Sequence, residues 1–231
     1  GTDISTYLYN KLIEPVKSKL LQTKRLLIIP DDELNYLPFE ALQDENKRYL
    51  IENFSVQYQY STALLGKAEG GRYSPGTLSF APFTVKGYSD SSGNLFTSLP
   101  ASGNEVKKLE GEAFTDSNAT KNNFLQNINQ YSTLHLATHA SVNNDDPLKS
   151  FIVFFPSTKD YKLYAGEIAN LKLDSTQLVI LSACETGTGQ LVKGEGLMSL
   201  SRAFAYAGCP NIITSLWKAE DRTTAFITQQ L

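Results

Sequence analysis

Residues 177–217 read QLVILSACETGTGQLVKGEGLMSLSRAFAYAGCPNIITSLW. The first eight residues are a short apolar run of the kind that forms a buried strand. A loop with Gly187, Gly189, Gly194 and Gly196 follows. EGLMSLSRAFAYAG then carries helical spacing up to Gly208, and CPNIITSLW returns to a strand. Strand, helix, strand in that order predicts parallel strands joined by a crossover.

Working outward, the same alternation continues. STLHLATHA (132–140), FIVFFPS (151–157) and TLSFAPF (77–83) read as strands. SGNEVKKLEGE (102–112) reads as a helix capped near Ser102 or Asn104, and ATKNNFLQNINQ (119–130) as a helix capped by Thr120. KDYKLYAGEIANLKL (159–173) holds a hairpin-like turn and a short helix. Toward the start, RLLIIP (25–30) has the profile of a buried strand, and RYLIENFSVQYQYS (48–61) that of a strand with one covered face. STALLGKA (61–68) suits a helical turn or two, and EGGRYSPG (69–76) is a loop. An opening amphipathic helix puts Tyr7, Leu8, Leu12, Ile13, Val16, Leu20 and Leu21 on its apolar side, with Pro15 interrupting it. A last helix starts near Asp221. Strands alternating with helices predict an α/β fold with a mostly parallel sheet covered on both faces. Residues 1–24 are the helical lead-in packing on the domain, and 25–231 form one domain. The sequence stops at TTAFITQQL, inside a predicted helix, so a truncated C-terminus is expected.

The 231 residues are 41% hydrophobic and 19% charged, enough for a core of ordinary size. A formal net charge of −3 does not resemble the basic footprint of a nucleic-acid binder. No apolar run approaches the ~20 residues of a membrane span. GTDISTYLYN lacks the regions of a signal peptide. Two cysteines, Cys184 and Cys209, do not make a disulfide scaffold at this length. Reduced thiols and a cytoplasmic location are the expectation.

Chemistry concentrates at two strand ends. His139 closes the STLHLATHA run beside the polar loop SVNNDDP, and Cys184 closes QLVILSAC. In open α/β sheets, reactive residues gather at the carboxyl ends of strands. The glycine-rich loop after Cys184 offers backbone N–H groups that lower a thiol's pKa and stabilise an oxyanion. A thiol and an imidazole together suffice for covalent cysteine catalysis. His135, inside its strand, reads as a core histidine, and Cys209, after the helix-ending Gly208, as a core thiol. The segments 84–100, 140–150 and 185–196 are polar or glycine-rich and are expected to be mobile around the cleft.

Two competing chemistries fit poorly. HLATH places histidines four apart, but along a strand that is ~13 Å, too far for one zinc ion. Leu136 stands where a zinc protease helix needs Glu. Lys193 is followed by Gly194 and Glu195, so the loop is not a phosphate-binding Walker loop. No metal and no organic cofactor is expected.

With these motifs placed, the chain resembles the CHAT domain, the caspase-like module often found beside TPR repeats in bacteria. The likeness runs through LLIIPDDELNYLPFEAL, LPASGNEVKKL, LHLATHA, LVILSACETGTG and AFAYAGCPNIITSLWKAED. It implies a caspase-like three-layer α/β/α sandwich and a peptidase dyad of His139 and Cys184. It also implies an oxyanion site made by the backbone of Ala140 and Cys184. Family members usually carry Gly after the histidine; if that position needs a positive φ, Ala140 resists it at a cost of ~1 kcal/mol or more. By the same resemblance Asp221 faces a basic substrate side chain, although Asp also suits a helix N-cap there. Trp217 is either a wall of that pocket or core, and Glu185, Asp145 and Asp146 are further acids near the cleft. The expected activity is endopeptidase cleavage of a protein or peptide substrate through a thioester. The rival is a catalytically latent interaction module joined to upstream TPR repeats or a regulatory protein.

Overall fold

The structure is a computed structural model that describes residues 3–60, 62, 76–143, 145–182, 184–185, 195–214 and 226. For Tyr36, Cys184, Glu185 and residues 195–199 it describes the backbone alone. The chain divides into two compact units, residues 1–65 and 66–231.

The first unit holds α1 (Ile4–Leu12), β1 (Arg25–Ile28), α2 (Leu50–Asn53) and β2 (Ser55–Tyr58). Asp3 caps α1 by accepting from the Ser5 amide. The helix gives way after Ile13 to a 3-10 turn with Pro15 in its first turn. That change of winding resets which side chains point inward. Tyr9 and Ile13 join Phe39, Leu42 and Leu50 in the core, while Tyr7, Val16 and Leu21 lie exposed. The opening helix is therefore amphipathic, but its inner face is not the full set expected from the sequence. β1 and β2 pair in parallel as a sheet of two. RLLIIP is thus a strand but not a buried one, with Leu27 47% exposed. Within RYLIENFSVQYQYS the four residues Leu50–Asn53 form the short helix α2, and the amide of its N-cap, Tyr49, donates to Glu52.

The second unit runs β3 (Thr77–Ala81), β4 (Tyr88–Ser89), β5 (Leu95–Phe96), α3 (Pro100–Lys107), β6 (Gly111–Thr115), α4 (Lys121–Asn127), β7 (Thr133–Leu136), β8 (His139–Ser141), β9 (Phe151–Val153), β10 (Lys162–Tyr164), α5 (Ala165–Ile168), β11 (Leu178–Leu181), β12 (Cys184–Glu185), α6 (Glu195–Tyr206) and β13 (Asn211–Thr214). Its central sheet has five strands, all parallel, in the order β13-β11-β7-β3-β6. Side chains alternate across that sheet. Leu78, Phe80, Leu134, Leu136, Val179 and Leu181 face one layer, where they meet Phe124 of α4 and Phe204 of α6. Ala81 faces the other, against Val106 of α3. Helices on both faces make this a three-layer α/β/α sandwich, as the resemblance implied. A smaller sheet, β10-β9-β8-β12, continues from the ends of β7 and β11.

Local rules account for the joints. Thr120 caps α4 through the Asn123 amide at 3.1 Å, as its sequence position predicted. α3 begins at Pro100, ahead of Ser102 and Asn104, because proline suits the first helical turn. Gly111 opens β6, an unforeseen strand, at φ +143; any Cβ there would lie 1.9 Å from the Thr77 carbonyl oxygen. Within the segment 84–100, β4 and β5 pair as an antiparallel hairpin.

Candidate active site

Two neighbouring parallel strands leave the central sheet together and stay in step. Leu181 of β11 pairs with Leu136 of β7, and beyond the break Cys184 of β12 pairs with His139 of β8. Neither chain gains or loses a residue between the two sheets, so the pair arrives as direct Cα partners. The break is held from both sides. The Ala137 amide donates to the Phe80 carbonyl at 2.9 Å, and the Thr138 hydroxyl to the Val153 carbonyl at 2.6 Å.

The imidazole of His139 is 1% exposed and lies between Phe83 and Phe96, at 5.2 and 5.8 Å between ring centroids. Its Nε2 lies 2.7 Å from the carbonyl oxygen of Thr97. A carbonyl can only accept, so Nε2 carries the hydrogen. In the neutral ring the lone pair then sits on Nδ1, which has no partner among the described residues. Burial pushes the His139 pKa below the usual histidine value, against the opposing pull of the Thr97 hydrogen bond. The ring is thus a neutral base in a fixed tautomer, ready to take a proton at Nδ1.

Phe96 and Thr97, which help to fix this ring, come from the hairpin segment, which is tied at both ends. At its base, Asp116 accepts from the Thr84 hydroxyl at 2.6 Å and the Val85 amide at 3.2 Å. At its tip, Asp90 accepts from the Ser92 and Asn94 amides, the Asn94 side chain, Tyr161 and Lys162. Burial alone would raise the Asp90 pKa, but the hydrogen bonds from Asn94 and Lys162 outweigh it and hold the carboxyl well below the usual carboxylate range. A depressed carboxylate pKa stabilises the fold above the unfolded value of ~3.9 and loses that contribution only as pH falls further. The tie therefore holds throughout the neutral range. Asp90→Ala is expected to speed amide exchange across residues 88–97 by about tenfold or more. Unchanged exchange, read by mass spectrometry, would show that the tip does not depend on Asp90.

Other residues singled out in the sequence fall in different places. Ala140 is fully buried in β8, with Ile152 on one side and Glu185 on the other. It is not among the residues with positive φ, so alanine carries no strain there. Asp146 forms a surface pair with Lys149, and the Asp145 amide donates to Asn143. Cys209 is buried, donates to the Asn211 carbonyl at 3.2 Å, and has its thiol pushed up to about 11 by burial. It is the inert core thiol expected. His135 is core too, and its Nε2 bonds Glu105 at 2.8 Å. Asp221, Trp217 and the loop 186–194 lie outside the described residues. Among the described residues no group of three or more His, Cys, Asp or Glu could hold a metal ion, and no helix is long and apolar enough to cross a membrane. Sequence reasoning missed Phe83, Phe96, Thr97, Glu105 and Ser182, which act through partners remote in the chain.

The family model of the CHAT domain matches residues 2–231. Tetratricopeptide repeat protein 28 of Mus musculus is 25% identical over 273 residues, covering 91% of this chain. The match spans 11% of that protein's length.

Proposed function

The chain belongs to the CHAT domain family of caspase-like cysteine peptidase fold, and from that premise we propose that it is a cysteine endopeptidase acting through a His139–Cys184 dyad. The observation that carries this reading is the Cα pairing of Cys184 with His139 across two parallel strands. Cys184 attacks the scissile carbonyl carbon as its thiol proton passes to Nδ1 of His139. The backbone N–H groups of Cys184 and Ala140 hold the oxyanion, each worth ~2.7–4 kcal/mol in the transition state. The imidazolium returns its proton to the leaving amine, and water then hydrolyses the thioester. A buried imidazole disfavours a standing thiolate–imidazolium pair, so the proton moves only as the thiol attacks.

The substrate is a protein segment, with Asp221, Trp217 and Glu185 as candidates for the residues that read it. If Asp221 faces a basic side chain, Asp221→Ala removes a preference for cleavage after Arg over Leu in a panel of peptides. Equal cleavage after both, unchanged by the substitution, removes Asp221 from the pocket. TPR repeats elsewhere in the natural protein are proposed partners, as the name of the mouse relative suggests.

One observation favours a second reading, a latent domain serving as an interaction module. His139 is enclosed between two phenylalanines and almost without exposure. A thiol-directed alkylating probe separates the two. In an active domain Cys184 labels faster than the same thiol in unfolded chain, and Cys184→Ala abolishes both labelling there and peptide turnover. Labelling no faster than in the unfolded chain supports the latent module.

A further inference from the structure

A second polar cluster lies inside the domain, on the face of the central sheet that α3 covers. Glu105 of α3, His135 of β7 and Ser182, just past the end of β11, are all buried. The Ser182 hydroxyl donates to Oε1 of Glu105 at 2.6 Å, and Nε2 of His135 lies 2.8 Å from that oxygen. The same nitrogen is 3.3 Å from the Ser182 oxygen. Serine, histidine and a carboxylate are the ingredients of a hydrolytic triad, but the wiring differs. In a triad the imidazole bridges, with one nitrogen on the hydroxyl and the other on the carboxylate. Here a single nitrogen faces both, and the serine proton goes to the glutamate. This serine is held by the cluster and is not activated by it.

What the cluster holds is the chain that leads to Cys184. β11 ends at Leu181 and β12 begins at Cys184, so Ser182 lies on the short link between the two sheets. On the partner strand the equivalent link carries two clamps, Ala137 to Phe80 and Thr138 to Val153. The short hydrogen bond from Ser182 to Glu105 is a matching clamp on the nucleophile's side. We propose that Glu105 is a positioning residue that, through Ser182, fixes the strand end delivering Cys184 opposite His139. The inference rests on the reading of Cys184 as the nucleophile.

The test uses Ser182→Ala, Glu105→Leu and Glu105→Gln, the last able to accept both hydrogen bonds through its amide oxygen. Ser182→Ala and Glu105→Leu are expected to speed amide exchange in the peptide spanning 178–185 by about tenfold, leaving β3 and β9 unaffected. They should lower kcat about tenfold or more with KM within about twofold, because misplacing a reacting group slows chemistry more than binding. Glu105→Gln should restore most of both. Unchanged exchange and unchanged kcat in Ser182→Ala would overturn the clamp while leaving the peptidase reading intact. Faster exchange in the variants of a wild-type chain whose Cys184 is inert would sustain the clamp and sink the peptidase.

Discussion

Phe80→Ala is expected to destabilise the second unit by ~3–5 kcal/mol. Phe80 is fully buried on β3, an inner strand of the parallel sheet. Its ring stacks on Phe114 at 5.0 Å and meets Phe124 and Phe154 edge-on, each at 5.6 Å. Those neighbours come from β6, from α4 and from the chain just after β9, so one ring joins the sheet, a helix layer and the smaller sheet. Truncation leaves a cavity these elements cannot close without shifting the strands, and it also loses aromatic pairs worth ~0.5–1.5 kcal/mol each. Against a typical total of ~5–15 kcal/mol, the thermal midpoint should fall by roughly 10 °C or more. Tyr206→Ala, at a side chain 68% exposed, is the control and should change stability by less than about 0.5 kcal/mol. A calorimetric midpoint for Phe80→Ala within a degree or two of wild type would mean that this aromatic cluster is not the centre of the core.

The sequence made the central strands legible because their apolar residues stand at alternate positions in short runs. TLSFA and TLHL alternate, and each residue's face is set by its neighbours in the chain. RLLIIP has a similar composition but is half exposed, because burial also depends on how many strands the sheet recruits, and β1 recruits only β2. The Ser, Gly and Asn of 84–100 suggested mobility for a related reason. The hydrogen bonds that tie it down involve Asp116, Tyr161 and Lys162, partners far along the chain that no local rule contains. His139 and Cys184 could be picked out as strand ends in a suggestive context. The groups that fix their geometry could not: Ser182 and Glu105 are 77 residues apart, and Thr97 is 42 residues from His139. Site residues that carry chemistry leave a signature in their own segment, whereas those that orient them are visible only once the sheet has formed.

His139→Gln should lower kcat/KM by about 10²–10⁴-fold, or ~3–5 kcal/mol of transition-state stabilisation. Glutamine is the informative replacement because its amide can still donate to the Thr97 carbonyl and fill the gap between Phe83 and Phe96, while it cannot take up a proton. The pH dependence then separates a base from a mere filler. Burial depresses the His139 pKa, so the acidic limb of kcat/KM in the wild type should lie below the ordinary histidine value of ~6.5. The residual activity of His139→Gln should lack that limb. Stability carries the same signature with a definite sign. Between its depressed folded pKa and ~6.5, His139 binds fewer protons in the folded chain than in the unfolded one. Wild-type stability therefore falls as pH drops through this window and levels off below the folded pKa; glutamine removes that contribution to the slope. Equal slopes for the two proteins from pH 7 to 5 would mean that His139 is not held neutral by its burial. A full kcat/KM in His139→Gln would leave Cys184 without its proton acceptor, and the dyad would have to be sought elsewhere along these two strands.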